Sequence, residues 1–306
     1  MSEILLQAKQ ISKHFGGVTA LDKVDLTIKK GEIHCLMGEN GCGKSTLIKI
    51  ISGFYRPDGG SITFEGKEYE RLSIAESIGL GIQVIYQDMS IFPNLTVAEN
   101  IAINNELYNH RKLVNWKSVK SIAKEALDHI GIELPLQAVV GELSVADKQL
   151  IAIARAILNN SKLIIMDEPT SALTRKEVDK LFKVIRQLQK EGISTLFVSH
   201  KLDEVFEIAD QFTVFRNGKL VVADSAKNIN DEQFVYYMTG RKLEEAAFTP
   251  EKIDHDRAIL KVENLGLTNG FEKISFEIHP GEILGITGLL GSGRTELAKT
   301  LFGLYS

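Results

Sequence analysis

The sequence predicts an α/β fold whose core is a mostly parallel sheet. Residues 163–166 and 195–198 form two short, almost continuously apolar runs, which is typical of strands buried on both faces of such a sheet. Between them, apolar residues recur at helical spacing from Val178 to Leu188, and Gly192 then favours a helix end. A glycine-rich loop between a third apolar run, 33–37, and a predicted helix, 44–51, also favours this class.

The glycine-rich loop matches the phosphate-binding pattern G-x-x-x-x-G-K-S/T. Its residues are Gly38, Glu39, Asn40, Gly41, Cys42, Gly43, Lys44, Ser45 and Thr46. Glycines let backbone N–H groups turn inward around a phosphate, and the following helix directs the positive end of its dipole at the same point. We expect Lys44 to reach the β- and γ-phosphates and Ser45 to bind Mg²⁺. Cys42 is either a packed small residue or a thiol of raised reactivity near a helix N-terminus.

Further elements follow in order around this core. Residues 5–28 alternate short apolar segments with turn residues, as in an edge sheet, and residues 59–66 predict another strand with turns at both ends. From about 94 to 160 helical spacing dominates, as at Val119, Ala123 and Leu127, so we predict an inserted helical subdomain. Asn217 and Gly218 separate the apolar runs 212–214 and 220–222 and predict a hairpin turn.

Two acidic residues, Asp167 and Glu168, directly follow the apolar run 163–166. An aspartate at a strand end beside a phosphate loop can hold Mg²⁺, and the next carboxylate can polarise an attacking water. Acidic residues after a strand often only cap the next helix, so this pair carries weight mainly together with the phosphate loop.

A third group of residues makes a resemblance specific. It consists of residues 143–149, Leu-Ser-Val-Ala-Asp-Lys-Gln, then residues 167–174, Asp-Glu-Pro-Thr-Ser-Ala-Leu-Thr, and finally Ser199-His200. In order and spacing these residues resemble the signature, Walker B, D-loop and switch histidine of ATP-binding cassette (ABC) proteins. The resemblance covers nearly the whole chain and implies a P-loop NTPase-type cassette that has an antiparallel β subdomain and binds ATP and Mg²⁺.

The resemblance also implies roles for single residues. Gln87 would join the Mg²⁺ shell and sense a membrane subunit, and His200 would hydrogen-bond the γ-phosphate. Phe15 would stack on adenine, although His14 next to it is an alternative because stacking needs only a π-face. The apolar loop 87–95 would receive a helix of a membrane subunit, or it packs on the helical subdomain.

The phosphate loop occurs a second time in altered form. It comprises Gly288, Gly291, Gly293, Arg294 and Thr295, with arginine in the place of lysine. Residues 1–240 therefore resemble a first cassette, 241–256 a charged linker with Pro250, and 257–306 the start of a second, degenerate cassette. Together with the Leu-Ser-Val form of the signature, this resembles the tandem ATPase subunits of bacterial importers for ribose, galactose or xylose.

Both altered motifs would belong to one shared site, because cassettes of this family dimerise head to tail. Val145 and Ala146 replace the two glycines of the usual signature, and their side chains limit the approach of the backbone to phosphate. We expect Asp147 to add a negative charge that opposes anion binding at a helix N-terminus. Arg294 is bulkier and forked, so it does not simply replace lysine.

Composition narrows the class of partner. The net charge of −4 gives no basic field for nucleic acid. Two cysteines without a disulfide framework favour a reducing, cytosolic compartment. The resemblance implies a subunit peripheral to the inner face of the cell membrane. The resemblance implies a membrane-spanning permease, an extracytoplasmic sugar-binding protein reached through it, and a second cassette or another copy as partners.

Three other functions were weighed against the importer motor. A ribosome-acting tandem cassette would need a long basic helical linker, whereas 241–256 is short and mixed in charge. A DNA-repair ATPase would need coiled-coil or zinc-binding insertions, and neither heptads nor cysteine pairs occur. An exporter motor is commonly fused to its membrane domain. The identity of the sugar stays open.

Overall fold

The computed structural model describes residues 3–86, 91–108, 114–241, 257–268, 270–288 and 291–305. It divides into two compact units, Met1–Leu243 and Glu244–Ser306. The predicted linker lies almost wholly outside the described residues, as does Gln87. Within the described ranges, no helix combines the length and apolar character that crossing a bilayer requires.

The first unit contains ten strands among its described residues. They are β1 (Ile4–Phe15), β2 (Val18–Lys29), β3 (Ile33–Gly38), β4 (Gly59–Phe64), β5 (Lys67–Tyr69), β6 (Ile82–Ile85), β7 (Leu163–Asp167), β8 (Ser194–Val198), β9 (Gln211–Arg216) and β10 (Lys219–Ser225). Its helices are α1 (Lys44–Ile51), α2 (Ile74–Gly79), α3 (Val97–Tyr108), α4 (Trp116–His129), α5 (Val145–Ile157), α6 (Arg175–Lys190), α7 (Leu202–Ile208) and α8 (Asp231–Thr239).

These strands form two sheets in the described part of the unit. A four-stranded antiparallel sheet has the order β2-β1-β4-β5, and a six-stranded sheet has the order β10-β9-β3-β8-β7-β6. Every neighbouring pair in the larger sheet is parallel except β9 and β10. The predicted α/β class with a mostly parallel core and an antiparallel β subdomain is confirmed.

The larger sheet is buried on both faces, as its apolar strands predict. Because side chains alternate along a strand, Cys35 and Met37 enter one apolar core together with the helices, while Leu36 enters the other together with α1 and the antiparallel sheet. Ile164 and Ile165 divide between the same two cores. The carboxyl ends of β3, β7 and β8 meet at one edge, where ligands bind in open α/β sheets.

The hairpin between β9 and β10 turns at Asn217 and Gly218, as predicted. Both residues have positive φ, 51° and 75°, which a two-residue hairpin turn of this kind requires. The peptide N–H of Gly218 donates to the carbonyl oxygen of Cys42 at 3.2 Å, and its own carbonyl accepts from Asp22 N–H at 2.8 Å. The hairpin turn therefore contacts the glycine-rich loop.

Helices α3, α4 and α5 lie within the range 94–160, for which a helical subdomain was predicted. Helix α4 presents one apolar face to this cluster, with Val119, Ala123 and Leu127 buried. Helix α6 packs on the larger sheet, where Phe182 meets Phe197 of β8 edge to face with ring centroids 5.7 Å apart. The apolar face of α6 thus packs on β8, the strand that precedes His200.

The second unit, described by itself, contains an antiparallel pair and a helix among its described residues. These are β11 (Leu260–Leu267), β12 (Phe271–Ile278) and α9 (Arg294–Leu301). Residues 283–288, which align in sequence with β3, form no strand, and Ile283 is 84% exposed. A buried parallel strand needs hydrogen-bonded neighbours, and no described strand pairs with this run.

Candidate nucleotide-binding site

The glycine-rich loop connects β3 to α1 and has a backbone that side chains would disturb. Gly38 has φ of 148°, and a Cβ atom there would lie 2.4 Å from both Cys42 Sγ and the carbonyl oxygen of Phe215. At Gly43, which precedes α1 with φ of 106°, a Cβ would meet the carbonyl oxygen of Ala20 at 2.6 Å. No side chain caps α1 at Gly43, so its first N–H groups are available to an anion.

Lys44 is buried at this loop, at 6% exposure. Its Nζ donates to the carbonyl oxygens of Gly38 at 2.7 Å and Glu39 at 3.0 Å. Cys42 Sγ lies 3.8 Å from the same nitrogen, and a thiol is a weak acceptor. Two of the three N–H donors of the ammonium are therefore held by carbonyl oxygens of the loop. The third has only the weakly accepting thiol beside it and can donate to a phosphate oxygen.

Ser45 and Asp167 form a pair of oxygen ligands suited to a divalent cation. Ser45 Oγ donates to Asp167 Oδ2 at 3.3 Å, although 122 residues separate the two. Burial raises the pKa of the Asp167 carboxyl, which the Ser45 hydrogen bond opposes. A half-buried carboxylate beside a hydroxyl gains from a cation, and Mg²⁺ prefers such oxygen ligands, so these two residues fit the ion.

Glu168 and His200 face each other beyond this pair. Nδ1 of His200 lies 3.4 Å from Glu168 Oε1, and the Glu168 peptide N–H donates to the carbonyl oxygen of Val198 at 3.1 Å. Glu168 has φ of 48°, an unusual value for a residue with a side chain. A cavity of about 160 Å³ joins Glu168 to the loop. It is lined by Ala20, Asn40, Gly41, Gly43, Lys44, Ser45, Thr46 and Glu168.

Phe15 and His14 both remain candidates for contact with an adenine ring. Phe15 is 41% exposed and its ring meets that of Tyr55 edge to face, with centroids 5.2 Å apart. The His14 side chain is exposed, and its backbone N–H donates to Asp58 Oδ2 at 2.7 Å. Sequence reasoning missed Asp58, which also pairs with Lys13 at 2.8 Å and so supports this strand end. Its signal was the turn at 57–60, Pro-Asp-Gly-Gly.

The signature residues begin α5, and Asp147 lies in its first turn. Ser144 is the N-cap, and its Oγ accepts from the Asp147 N–H at 3.1 Å and donates to Asp147 Oδ2 at 2.9 Å. The carboxylate thus stays at the start of the helix, where its effect on a bound anion remains a prediction. Val145 is 40% exposed at the helix start, whereas Ala146 is buried and Leu143 packs against the core.

The second loop shares with the first the positive φ of its last two glycines, whereas Gly288, unlike Gly38, has no positive φ. Gly291 and Gly293 have φ of 79° and 85°, and α9 begins at Arg294 and Thr295 directly after Gly293, as α1 does after Gly43. A Cβ at Gly288 would lie 2.6 Å from Ser292 Oγ. Residues 289 and 290 of this loop lie outside the described residues.

A loop of this geometry at the edge of a parallel sheet, with lysine, hydroxyl, carboxylates and histidine around it, defines a phosphate-loop nucleotide-binding protein. The model of the ABC transporter family matches residues 21–171, which include the loop, the signature and the Asp167-Glu168 pair. The solved structure of MJ1267, an ATP-binding cassette of an ABC transporter, is 30% identical with a TM-score of 0.69, and the match covers 78% of this chain and 98% of that one. The chain belongs to the ABC transporter family.

Two curated relatives in that family are more similar in sequence to this chain. A putative ribose/galactose/methyl galactoside import ATP-binding protein of Halalkalibacterium halodurans is 45% identical over 301 residues, 98% of this chain. The ribose import ATP-binding protein RbsA of Caldanaerobacter subterraneus subsp. tengcongensis is 43% identical over 303 residues, 99% of this chain. The chain spans 58% and 61% of the length of these two curated relatives.

Proposed function

We propose that this chain binds Mg·ATP at the loop between β3 and α1 and hydrolyses it, as the motor part of an importer for a monosaccharide. The observation that carries the proposal is the convergence of Lys44, Ser45, Asp167 and Glu168 on one sheet edge beside His200. The printed names of the relatives, which concern ribose and galactose import, support the sugar class.

The chemistry follows from the positions of these groups. The loop N–H groups and Lys44 would neutralise charge on the β- and γ-phosphate oxygens, where negative charge is concentrated in phosphoryl transfer. Ser45 and Asp167 would hold Mg²⁺, with Gln87 proposed as a further ligand. Bound Mg²⁺ would supply further charge neutralisation at the same oxygens.

Glu168 would accept the proton of a water that attacks the γ-phosphorus, while the bond to the β–γ bridging oxygen breaks and ADP leaves. His200 has Nδ1 near Glu168, which leaves Nε2 to donate to a γ-phosphate oxygen. Both side chains are partly exposed, at 22% and 50%, so substrate can reach them.

The partners are proposed from family membership. A signature from a second cassette would complete the site, and a permease would hold the subunit at the inner face of the membrane and pass sugar from an extracytoplasmic binding protein. The altered signature that contains Val145 and the altered loop that contains Arg294 would each contact a nucleotide less well than the usual forms of these motifs. Because its own signature lacks glycines at 145 and 146, we propose that the 306-residue chain hydrolyses ATP slowly by itself.

Lys44→Ala tests the proposal directly. The variant should lose at least about tenfold in Mg·ATP affinity, measured by calorimetry, because a charge-assisted contact to phosphate is removed. Lys67→Ala, a change at an exposed lysine on β5, is the matched control and should bind as the parent chain does. Equal affinity of Lys44→Ala and the parent chain would refute the proposed site.

A test of the proposed sugar class requires the assembled transporter. In liposomes that contain the permease and the binding protein, ATP turnover should rise with one or more members of a pentose and hexose panel. If none of these sugars raised ATP turnover, the monosaccharide assignment would be contradicted. The proposal that the chain binds ATP would still stand.

A further inference from the structure

A polar cluster next to His200 comprises Ser199, Glu204 and Lys201, and the proposed hydrolysis uses none of these three side chains. The Lys201 side chain is 40% exposed, whereas the other two are buried. Ser199 and Glu204 are each 3% exposed. Ser199 Oγ donates to Glu204 Oε2 at 2.5 Å and accepts the Lys201 N–H at 3.0 Å. These contacts fix the loop that carries His200 from behind.

Lys201 extends the cluster to the loop that carries Glu168. Its Nζ lies 3.1 Å from Glu204 Oε1 and donates to the carbonyl oxygen of Thr170 at 3.0 Å. Thr170 is 2% exposed and follows Glu168 by two residues. An ammonium has three donors and no acceptor, so it can join a carboxylate and a carbonyl oxygen at once.

The two loops are thus connected at two points. Next to the sheet, the Glu168 N–H donates to Val198 O, and farther out, Lys201 donates to Thr170 O. The side chains of Glu168 and His200 lie along the chain between these connections. With only the inner connection the outer part of each loop would be free to shift, and the φ of 48° at Glu168 would have less support.

We propose that Lys201 is a positioning residue for hydrolysis, because its ammonium connects the loop after β7 to the loop after β8 and thereby sets the separation of Glu168 and His200. This inference rests on the proposed function for its kinetic consequence. Lys201 does not line the cavity beside the phosphate loop, so its effect passes through the two loops and not through nucleotide contact.

The kinetic test compares Lys201→Met with Lys201→Arg in the 306-residue chain. Single-turnover hydrolysis is followed with the chain in excess over ATP, and the chain concentration is varied. Lys201→Met should lower the saturating rate about tenfold or more and change the half-saturating concentration less than about twofold, since misplacement of reacting groups affects the chemical step. Lys201→Arg should restore most of the rate, because a guanidinium also donates to two acceptors.

A double variant separates positioning from stability. Lys201→Met leaves the buried Glu204 carboxylate with one partner fewer, which lowers the melting temperature by itself. Glu204→Gln in the same chain removes that charge, so the melting temperature should recover while the rate stays low. Recovery of the rate as well would overturn the proposal. Lys176→Met, at an exposed position of α6, is the control and should match the parent chain.

Amide hydrogen exchange gives a readout that needs no hydrolysis. Lys201→Met should speed exchange of the peptide that spans 168–173 at least severalfold, whereas Lys201→Arg should not. Unchanged exchange in Lys201→Met, or a shifted half-saturating concentration at an unchanged rate, would overturn the inference. A parent chain that binds no Mg·ATP would instead refute the proposed function, and the exchange result would still decide whether Lys201 orders the loop.

Discussion

Glu168 is a single residue in which backbone form and proposed chemistry coincide. Its φ of 48° turns the chain sharply after β7, and its N–H remains paired with Val198 O. A residue with a side chain occupies this region at some cost, and such cost is often found at functional sites. The turn brings its carboxylate to the cavity and to His200.

Glu168→Gln should therefore separate binding from hydrolysis. The amide has nearly the shape of the carboxylate but accepts no proton from water, so turnover should fall about 10²–10⁴-fold while Mg·ATP affinity stays close to that of the parent chain. Phosphate release and calorimetry measure the two quantities. Glu125→Gln, at an exposed position of α4, is the control. Turnover of Glu168→Gln equal to that of the control would rule out the role of Glu168 as base.

The sequence predicted the residues that carry local motifs and missed those that act between loops. Lys44, Ser45 and Asp167 follow from patterns of a few residues each, and the structure brings them together. Lys201 could not be predicted, since its contacts with Thr170 depend on where two separate strands end. The hydrogen bond between Ser144 and Asp147 was not predicted either, although a serine three residues before an acidic residue is itself the pattern of a helix start.

At the scale of elements, α6 supports the strand that leads to His200. Phe182 of α6 is 5% exposed and packs edge to face on Phe197 of β8. The helix begins with Thr174 and Glu177 in reciprocal capping contacts and carries an apolar face along its length. Packing of this helix on the sheet therefore supports the core beneath the strand that precedes His200.

Phe182→Ala should lower the free energy of unfolding by about 3–5 kcal/mol, because a large buried ring leaves a cavity. Urea denaturation followed by the fluorescence of Trp116, the single tryptophan of the chain, reports on the first unit. Lys183→Ala removes an exposed neighbouring side chain and should change this free energy by less than about 0.5 kcal/mol. Similar losses in both variants would show that the ring does not anchor α6.

Element predictions were accurate where the pattern implied partners that the structure contains. Residues 33–37 form a buried strand because β8 and β9 flank it. Residues 283–287 have the same kind of pattern but form no strand, because no described strand lies beside them. The spacing of apolar residues in a sequence indicates which side chains must be buried. It does not indicate which neighbouring strand or helix buries them.

At the scale of the whole molecule, the two glycine-rich loops differ in one chemically decisive position. Both begin helices with glycines of positive φ, but Lys44 stands in one and Arg294 in the other. The first loop also has Asp167, Glu168 and His200 beside it. An arginine fork lacks the compact ammonium that we propose for contact with phosphate at the first loop.

The 306-residue chain should accordingly bind one Mg·ATP. Calorimetric titration should give a stoichiometry near one, which Lys44→Ala removes and Arg294→Ala leaves in place. The decisive comparison is between the stoichiometry of the parent chain and that of Arg294→Ala. A value of two in the parent chain that falls to one in Arg294→Ala would mean that the arginine loop binds nucleotide.

The contact of Gly218 with Cys42 O has a practical consequence for anyone who modifies this molecule. Hairpin tips are the usual choice for epitope tags, fluorescent inserts and new chain termini, because exposed turns tolerate them. Here a Cβ at Gly218 would already lie 2.9 Å from Ala20 O, and the Gly218 N–H donates to the carbonyl oxygen of Cys42 in the glycine-rich loop. A label inserted at this tip should therefore disturb the glycine-rich loop. The turn between β4 and β5 is a better place, because a Cβ at Gly66 would meet no atom within 4 Å.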